Sequence, residues 1–164
     1  MRVTRYANGT RGGVLSITKN GNGTTYTSGS CFGGLFTVGT APQQSNGYFL
    51  LGAGGSLRAS ASPSLGVLFM VGTNPPVTAF TDGVVFPSFL AAADMSLVVY
   101  SSNLAVLGPS TAGTWYGLVI QPLPLYVPGG STLYVVMQVL SGSFLFPSGA
   151  DPSFALQMPY EMST

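Results

Sequence analysis

The chain has 164 residues, of which 46% are apolar and only 5% are charged, against about 25% charged in an ordinary soluble domain. It has no His and one Cys, which excludes Ser-His-Asp and Cys-His nucleophile activation, histidine metal sites and an intrachain disulfide. A net charge of +1 from five basic and four acidic side chains excludes the clustered Lys and Arg of a nucleic-acid footprint.

The 23 Gly and 12 Pro are spread along the chain, between short runs of β-branched and aromatic residues, and this pattern predicts strands and turns throughout. Residues 1–12 read as an N-terminal arm. Its arginines Arg2, Arg5 and Arg11 are candidates to grip an acidic surface of a partner; the plainer reading is a loose terminus with solvated charges. Gly13 to Lys19 is a predicted strand, and Asn20-Gly21-Asn22-Gly23 is the strongest hairpin signal in the chain, with Thr24 to Ser28 as its return. Cys31 to Val38 is apolar, with Cys31 a small core residue. Ala41 to Gly47 is a polar loop.

Tyr48 to Leu51 is the next predicted strand, Gly52 to Gly55 a reversal, and Ser56 to Ser60 its return. Leu65 to Val71 reads as a fully buried strand, Val77 to Phe80 as a short one, and Thr81-Asp82-Gly83 as a turn before Val84 to Phe86. Pro87 to Asp94 is the one segment suited to a helix, with Pro at its start and three Ala inside. Met95 to Ser101 and Thr114 to Gln121, which carries the only Trp, are strands.

Pro122 to Leu140 is the most strongly patterned stretch. Leu123 to Val127 stops at Pro128-Gly129-Gly130, and Thr132 to Leu140 follows with no charge, Gly or Pro. This reads as two strands joined tightly, the second inside a sheet with neighbours on both edges. Phe144 to Phe146 and Phe154 to Met158 are short strands, and 160–164 a tail. Residues 13–159 therefore form one all-β domain of about ten to twelve short antiparallel strands at the spacing of a sandwich or barrel.

The charges are segregated. Up to residue 60 the side-chain balance is 5 − 0 = +5, and beyond it 0 − 4 = −4. So few charges leave a surface that favours association, and the expectation is a protein covered by copies of itself or by another protein. Met1 to Tyr6 contain no apolar core of an export signal, so a cytosolic origin is expected. No uninterrupted apolar run reaches the ~20 residues of a membrane span.

The motifs that carry chemistry elsewhere have structural readings here. Asp82 and Asp94 are the candidates for an acid pair, but one lies in a turn and the other at a helix end. Ser16-Ile17-Thr18-Lys19 matches Ser-x-x-Lys on a strand, where that motif needs a helix, and its partner motifs are missing. Trp115, Tyr116 and Tyr48 are candidates for a sugar-binding face, against the plainer role of core or interface packing. No enzyme activity, cofactor, metal or small-molecule substrate is expected.

Leu125-Tyr-Val-Pro-Gly-Gly-Ser-Thr-Leu-Tyr-Val-Val-Met-Gln-Val139 resembles the last strands of jelly-roll structural proteins of tailed bacteriophages. The whole chain is similar in character to phage decoration (cement) proteins: small, nearly uncharged, and rich in Gly, Ser and Thr. The resemblance implies a jelly-roll sandwich, made in the host cytoplasm and seated as a homotrimer on the capsid exterior, where it clamps adjacent major capsid subunits. It carries no catalytic residues over. The alternatives are a tail or fibre jelly roll that binds a host receptor, and a carbohydrate-binding module.

Overall fold

The computed structural model describes residues 2–5, 11–41, 46–109, 115–120, 125–149 and 152–163, with the side chains of 2–5, 11 and 109 set aside. The chain is all-β and antiparallel. Its strands are β1 (Arg2–Arg5), β2 (Arg11–Asn20), β3 (Thr25–Thr27), β4 (Cys31–Thr40), β5 (Tyr48–Leu50), β6 (Ala53–Arg58) and β7 (Ser64–Gly72). After one helical turn, α1 (Ala92–Met95), come β8 (Val98–Pro109), β9 (Trp115–Ile120), β10 (Leu125–Val127), β11 (Thr132–Ser141), β12 (Ser143–Leu145) and β13 (Pro152–Met162).

One hydrogen-bonded path, β1-β2-β13-β6-β9-β8-β7-β11-β4, folds into two layers because β8 serves both. Its first half pairs with β7 and its second half with β9. The inner faces alternate as half-buried strands must. Leu15 and Ile17 of β2, and Phe154, Leu156 and Met158 of β13, pack against Leu65, Val67 and Phe69 of β7 and Leu133, Val135 and Met137 of β11. An aromatic cluster closes one end of this core: Phe32 meets Phe144, Phe146 and Phe154 at centroid distances of 5.9, 5.3 and 5.3 Å.

The second layer has a further cover. Residues 73–97 leave β7 and cross the outer face of its sheet before entering β8. Phe80, Phe86, Leu90 and Leu97 of this excursion pack on Cys31, Met70, Tyr134 and Val136, making a second apolar cluster. β11 is therefore buried on both faces, which accounts for its unbroken apolar run. Cys31 is fully buried, as its setting predicts.

Several local expectations are corrected. Asn20-Gly21-Asn22-Gly23 is a corner and not a hairpin. β2 pairs with β1 and β13, and β3 pairs with β12. Thr24 N–H donates to Asn22 Oδ1 at 3.0 Å, and Gly23 takes φ 72°, so the chain turns out of the sheet. Gly52 to Gly55 does not reverse the chain either. β5 and β6 lie one after the other on the same edge of β13, where Leu50 faces Tyr160 and Gly54 faces Gln157.

Pro128-Gly129-Gly130 joins β10, which pairs with β5, to β11, which pairs with β4 and β7. It carries the chain between layers and closes no hairpin. Leu65 to Val71 is buried at Leu65, Val67, Phe69 and Met70 and half-buried at Gly66, Leu68 and Val71. The helix is a single turn at Ala92–Met95. No strand forms at Val77 to Phe80, since the Asp94 carboxylate takes the Val77 and Thr78 N–H groups that a ladder would use.

Candidate functional site

The surface properties follow from where the few charges go. Asp82 sits in the excursion at the end of the sandwich closed by β3 and β12. Its Oδ2 lies 2.6 Å from Lys19 Nζ, and its Oδ1 accepts from Tyr26 OH at 2.8 Å and from Gly33 N–H at 2.7 Å. Burial pulls this carboxyl upward, but the bonds from Lys19, Tyr26 and Gly33 outweigh it and hold the group below the usual carboxylate range. The Tyr26 phenol is pushed up, first by burial and then by the bond it gives Asp82. This network pins the excursion to β2, β3 and β4.

Asp94 is buried and accepts from the Val77 and Thr78 N–H groups at 2.9 and 2.7 Å. Burial raises it, and hydrogen bonds from the Thr78 hydroxyl and these two N–H groups more than reverse that. The Ala91 N–H in turn donates to Thr78 Oγ1 at 2.9 Å. The two acids considered for an acid pair thus sit in separate networks with no shared partner. Asp82 holds the excursion to the body, and Asp94 clasps two parts of the excursion to each other.

Of the other sequence candidates, Tyr48 is buried, donates its OH to the Gly39 carbonyl, and lies against Tyr160 at 5.3 Å, so it presents no ring to a ligand. Trp115 is half-buried and faces Arg58 across the β6–β9 ladder. Ser16 to Lys19 lie along β2. In the β1–β2 ladder Arg2 is opposite Val14 and Arg5 is opposite Arg11; the arginine side chains are outside the described residues. Among the described residues no group of three or more His, Cys, Asp or Glu is gathered to hold a metal, and no helix is long and apolar enough to cross a membrane.

Two surfaces stand out. The excursion exposes Phe89 at 90%, Val85 at 76% and Val77 at 71%, with Val84 and Met95 also exposed. Its only charges, Asp82 and Asp94, are both turned to internal partners. Beside it lies an open groove of about 400 Å³ on the outer face of the second layer. Gly66 of β7 stands between Gln138 of β11 and Asn103 of β8 in one cross-strand row. The next row brings Val136, Leu68 and Ser101, and Phe86 forms a wall. A side chain at Gly66 would meet Leu140 at 3.0 Å, so the glycine keeps the notch open between the two amides. Three distant strands supply this groove, and no local sequence signal marks it.

The outer face of the first layer is the second surface. Along β13 and β6 it shows Ala155, Gln157, Gly54 and Ser56, with Arg58 toward one end and Glu161 toward the other. Phe49 and Tyr126 lie beside Glu161, their rings tilted by 34° with centroids 4.8 Å apart. No protein-family model matches the chain, and no match emerges among curated proteins.

Proposed function

We propose that this chain is a non-enzymatic structural protein of a virion, a decoration protein that binds the outside of an assembled capsid as a homo-oligomer. The observation that carries the reading is the excursion. Asp82 ties it to the body and Asp94 clasps it internally, yet it presents Phe89, Val85 and Val77 to solvent with no free charge of its own. An apolar surface of this kind, rigidly held, suits a partner surface better than open water. The eight long strands add support. β2, β6, β9 and β13 fall in one layer and β4, β7, β8 and β11 in the other. The orders β2-β13-β6-β9 and β8-β7-β11-β4 favour the jelly-roll form of the sandwich, a layout used by viral capsid proteins. Arg2, Arg5 and Arg11 are the proposed polar contacts to the major capsid protein.

The test is co-sedimentation of the purified chain with capsids that lack it, followed by heating of the shells. Saturable binding that raises the temperature of shell rupture is the expected result. Failure to bind at any shell stage overturns the reading, and attachment to isolated tails would move it to a tail or fibre component.

A second reading, a carbohydrate-binding module, is favoured by the groove. The Gln138 and Asn103 amides make no side-chain hydrogen bond among the described residues, and together with the Phe86 wall they suit an uncharged sugar. Saturable binding of a neutral oligosaccharide, lost in Gly66→Val, would establish it.

A further inference from the structure

Five charged side chains lie among those described: Lys19, Arg58, Asp82, Asp94 and Glu161. Lys19 and Asp82 pair with each other, and Asp94 is taken up by backbone N–H groups. Arg58 and Glu161 remain, and both project from the outer face of the first layer. Leu57 faces Phe154, while Phe49 faces Glu161. The chain advances 57 − 49 = 8 residues between these two points. At about 3.3 Å per residue the two charges are roughly 25–30 Å apart, several times the ~8–10 Å screening length of ordinary salt. Within one molecule they do nothing for each other.

Between copies the position changes. A two-fold axis lying in the plane of contact, across the line from Arg58 to Glu161, reverses that line. Each end of one copy then meets the opposite charge of the other, and a self-complementary face makes two ion pairs at once. The middle of the face permits the approach, because Gly54, Ser56 and Ala155 are small and Gln157 is the longest side chain there. Near Glu161 the paired rings of Phe49 and Tyr126, each 41% exposed, supply the aromatic contact that interfaces favour. Four strands at about 4.8 Å spacing over this length present roughly 600 Å² in projection, the order of the ~800 Å² per partner of a standard interface.

We infer that the outer face of the first layer is an interface between two copies of this chain, related by a two-fold axis that sets Arg58 of one copy against Glu161 of the other. This deepens the self-assembly part of the proposed function and rests on it for the identity of the occupant. A three-fold contact elsewhere on the surface is compatible with it and would give hexamers instead of dimers.

The test is analytical ultracentrifugation of the full chain from about 0.01 to 100 μM, a range wide enough to catch dissociation, because area alone does not set affinity. The wild type is compared with Arg58→Glu, Glu161→Arg and the double exchange. Even-numbered assemblies are expected. Each single exchange should weaken them about tenfold or more, and the double exchange should restore them to within about threefold, since it rebuilds both pairs with reversed sign. Ser56→Arg, on the solvent side of β6, should also dissociate them without unfolding the chain. Four results overturn the inference: a wild-type monomer throughout the range, a trimer, single exchanges without effect, or a double exchange that fails to recover. Capsid co-sedimentation of the same variants separates the two ideas. Charge-insensitive assembly with intact capsid binding removes the two-fold contact and leaves the decoration reading standing.

Discussion

β13 and β11 occupy opposite layers, and each has neighbours on both edges, but their sequences are written differently. β13 alternates: Phe154, Leu156, Met158 and Tyr160 point inward, and Ala155, Gln157, Pro159 and Glu161 outward. β11 is apolar without a break from Leu133 to Met137 because Tyr134 and Val136 meet the excursion while Leu133, Val135 and Met137 meet the core. The contrast teaches that a strand's pattern reports how many layers cover it, and not merely whether it is central. One face of this sandwich is partly covered by its own chain, and the other carries no such cover among the described residues, which is why the proposed two-copy contact is placed there.

The largest effect tests the seal. Val136→Asp places a carboxylate between β11 and the excursion, in an apolar cluster that holds no cation among the described residues, and should cost about 3–5 kcal/mol in chemical denaturation. Gln157→Asp, at an exposed position on β13, should stay within about 0.5 kcal/mol when measured on the dissociated chain. Equal losses at the two sites would break the contrast.

Next in size is the clasp inside the excursion. Asp94→Ala removes the buried carboxylate that accepts from the Val77 and Thr78 N–H groups and should cost about 2–3 kcal/mol. Hydrogen exchange should speed up in residues 73–97 and stay unchanged in β13. Uniform acceleration through both would mean that the excursion is not a separate unit.

The pH dependence follows from the same two carboxyls. Asp82 and Asp94 both titrate below the ordinary value of 3.8 in the folded chain. The unfolded chain therefore binds protons first as pH falls. The stability they confer is complete above the unfolded value, and is lost as pH drops from there through the lowered folded values. Acid should release the excursion before the β2–β13 pairing is lost. Exchange measured between neutral pH and about pH 2 checks the order, and simultaneous loss would contradict it.

The smallest effect belongs to Lys19. Lys19→Met breaks a 2.6 Å ion pair whose side chains are 16% and 31% exposed, and screening limits the loss to about 0.5–1 kcal/mol. That loss should shrink as salt is added. A salt-independent difference would assign the effect to packing of the lysine stem over Phe146, whose ring centre lies 5.9 Å from the ammonium.

The sequence by itself determined the class of fold, most of the places where the chain turns, and the place of β11 inside a sheet with neighbours on both edges. These are local matters: alternation, β-branched runs, Gly and Pro. It also exposed Asp82 and Asp94 as residues with structural work to do. The tertiary structure alone decided which strands pair. Asn20 to Gly23 looks like a hairpin turn, and Gly52 to Gly55 like a reversal. The hydrogen-bond ladders sent β3 to β12, and set β5 and β6 in line along β13.

Only the fold brings Asp82 to Lys19, Tyr26 and Gly33, which lie 63, 56 and 49 residues away in the chain. It also gathers Gln138, Gly66 and Asn103 into one row, and leaves Arg58 and Glu161 at opposite ends of one face. A turn residue constrains its own backbone dihedrals, whereas a ladder or a charge network is chosen by the burial of the whole chain. For that reason turns are legible one residue at a time and partners are not.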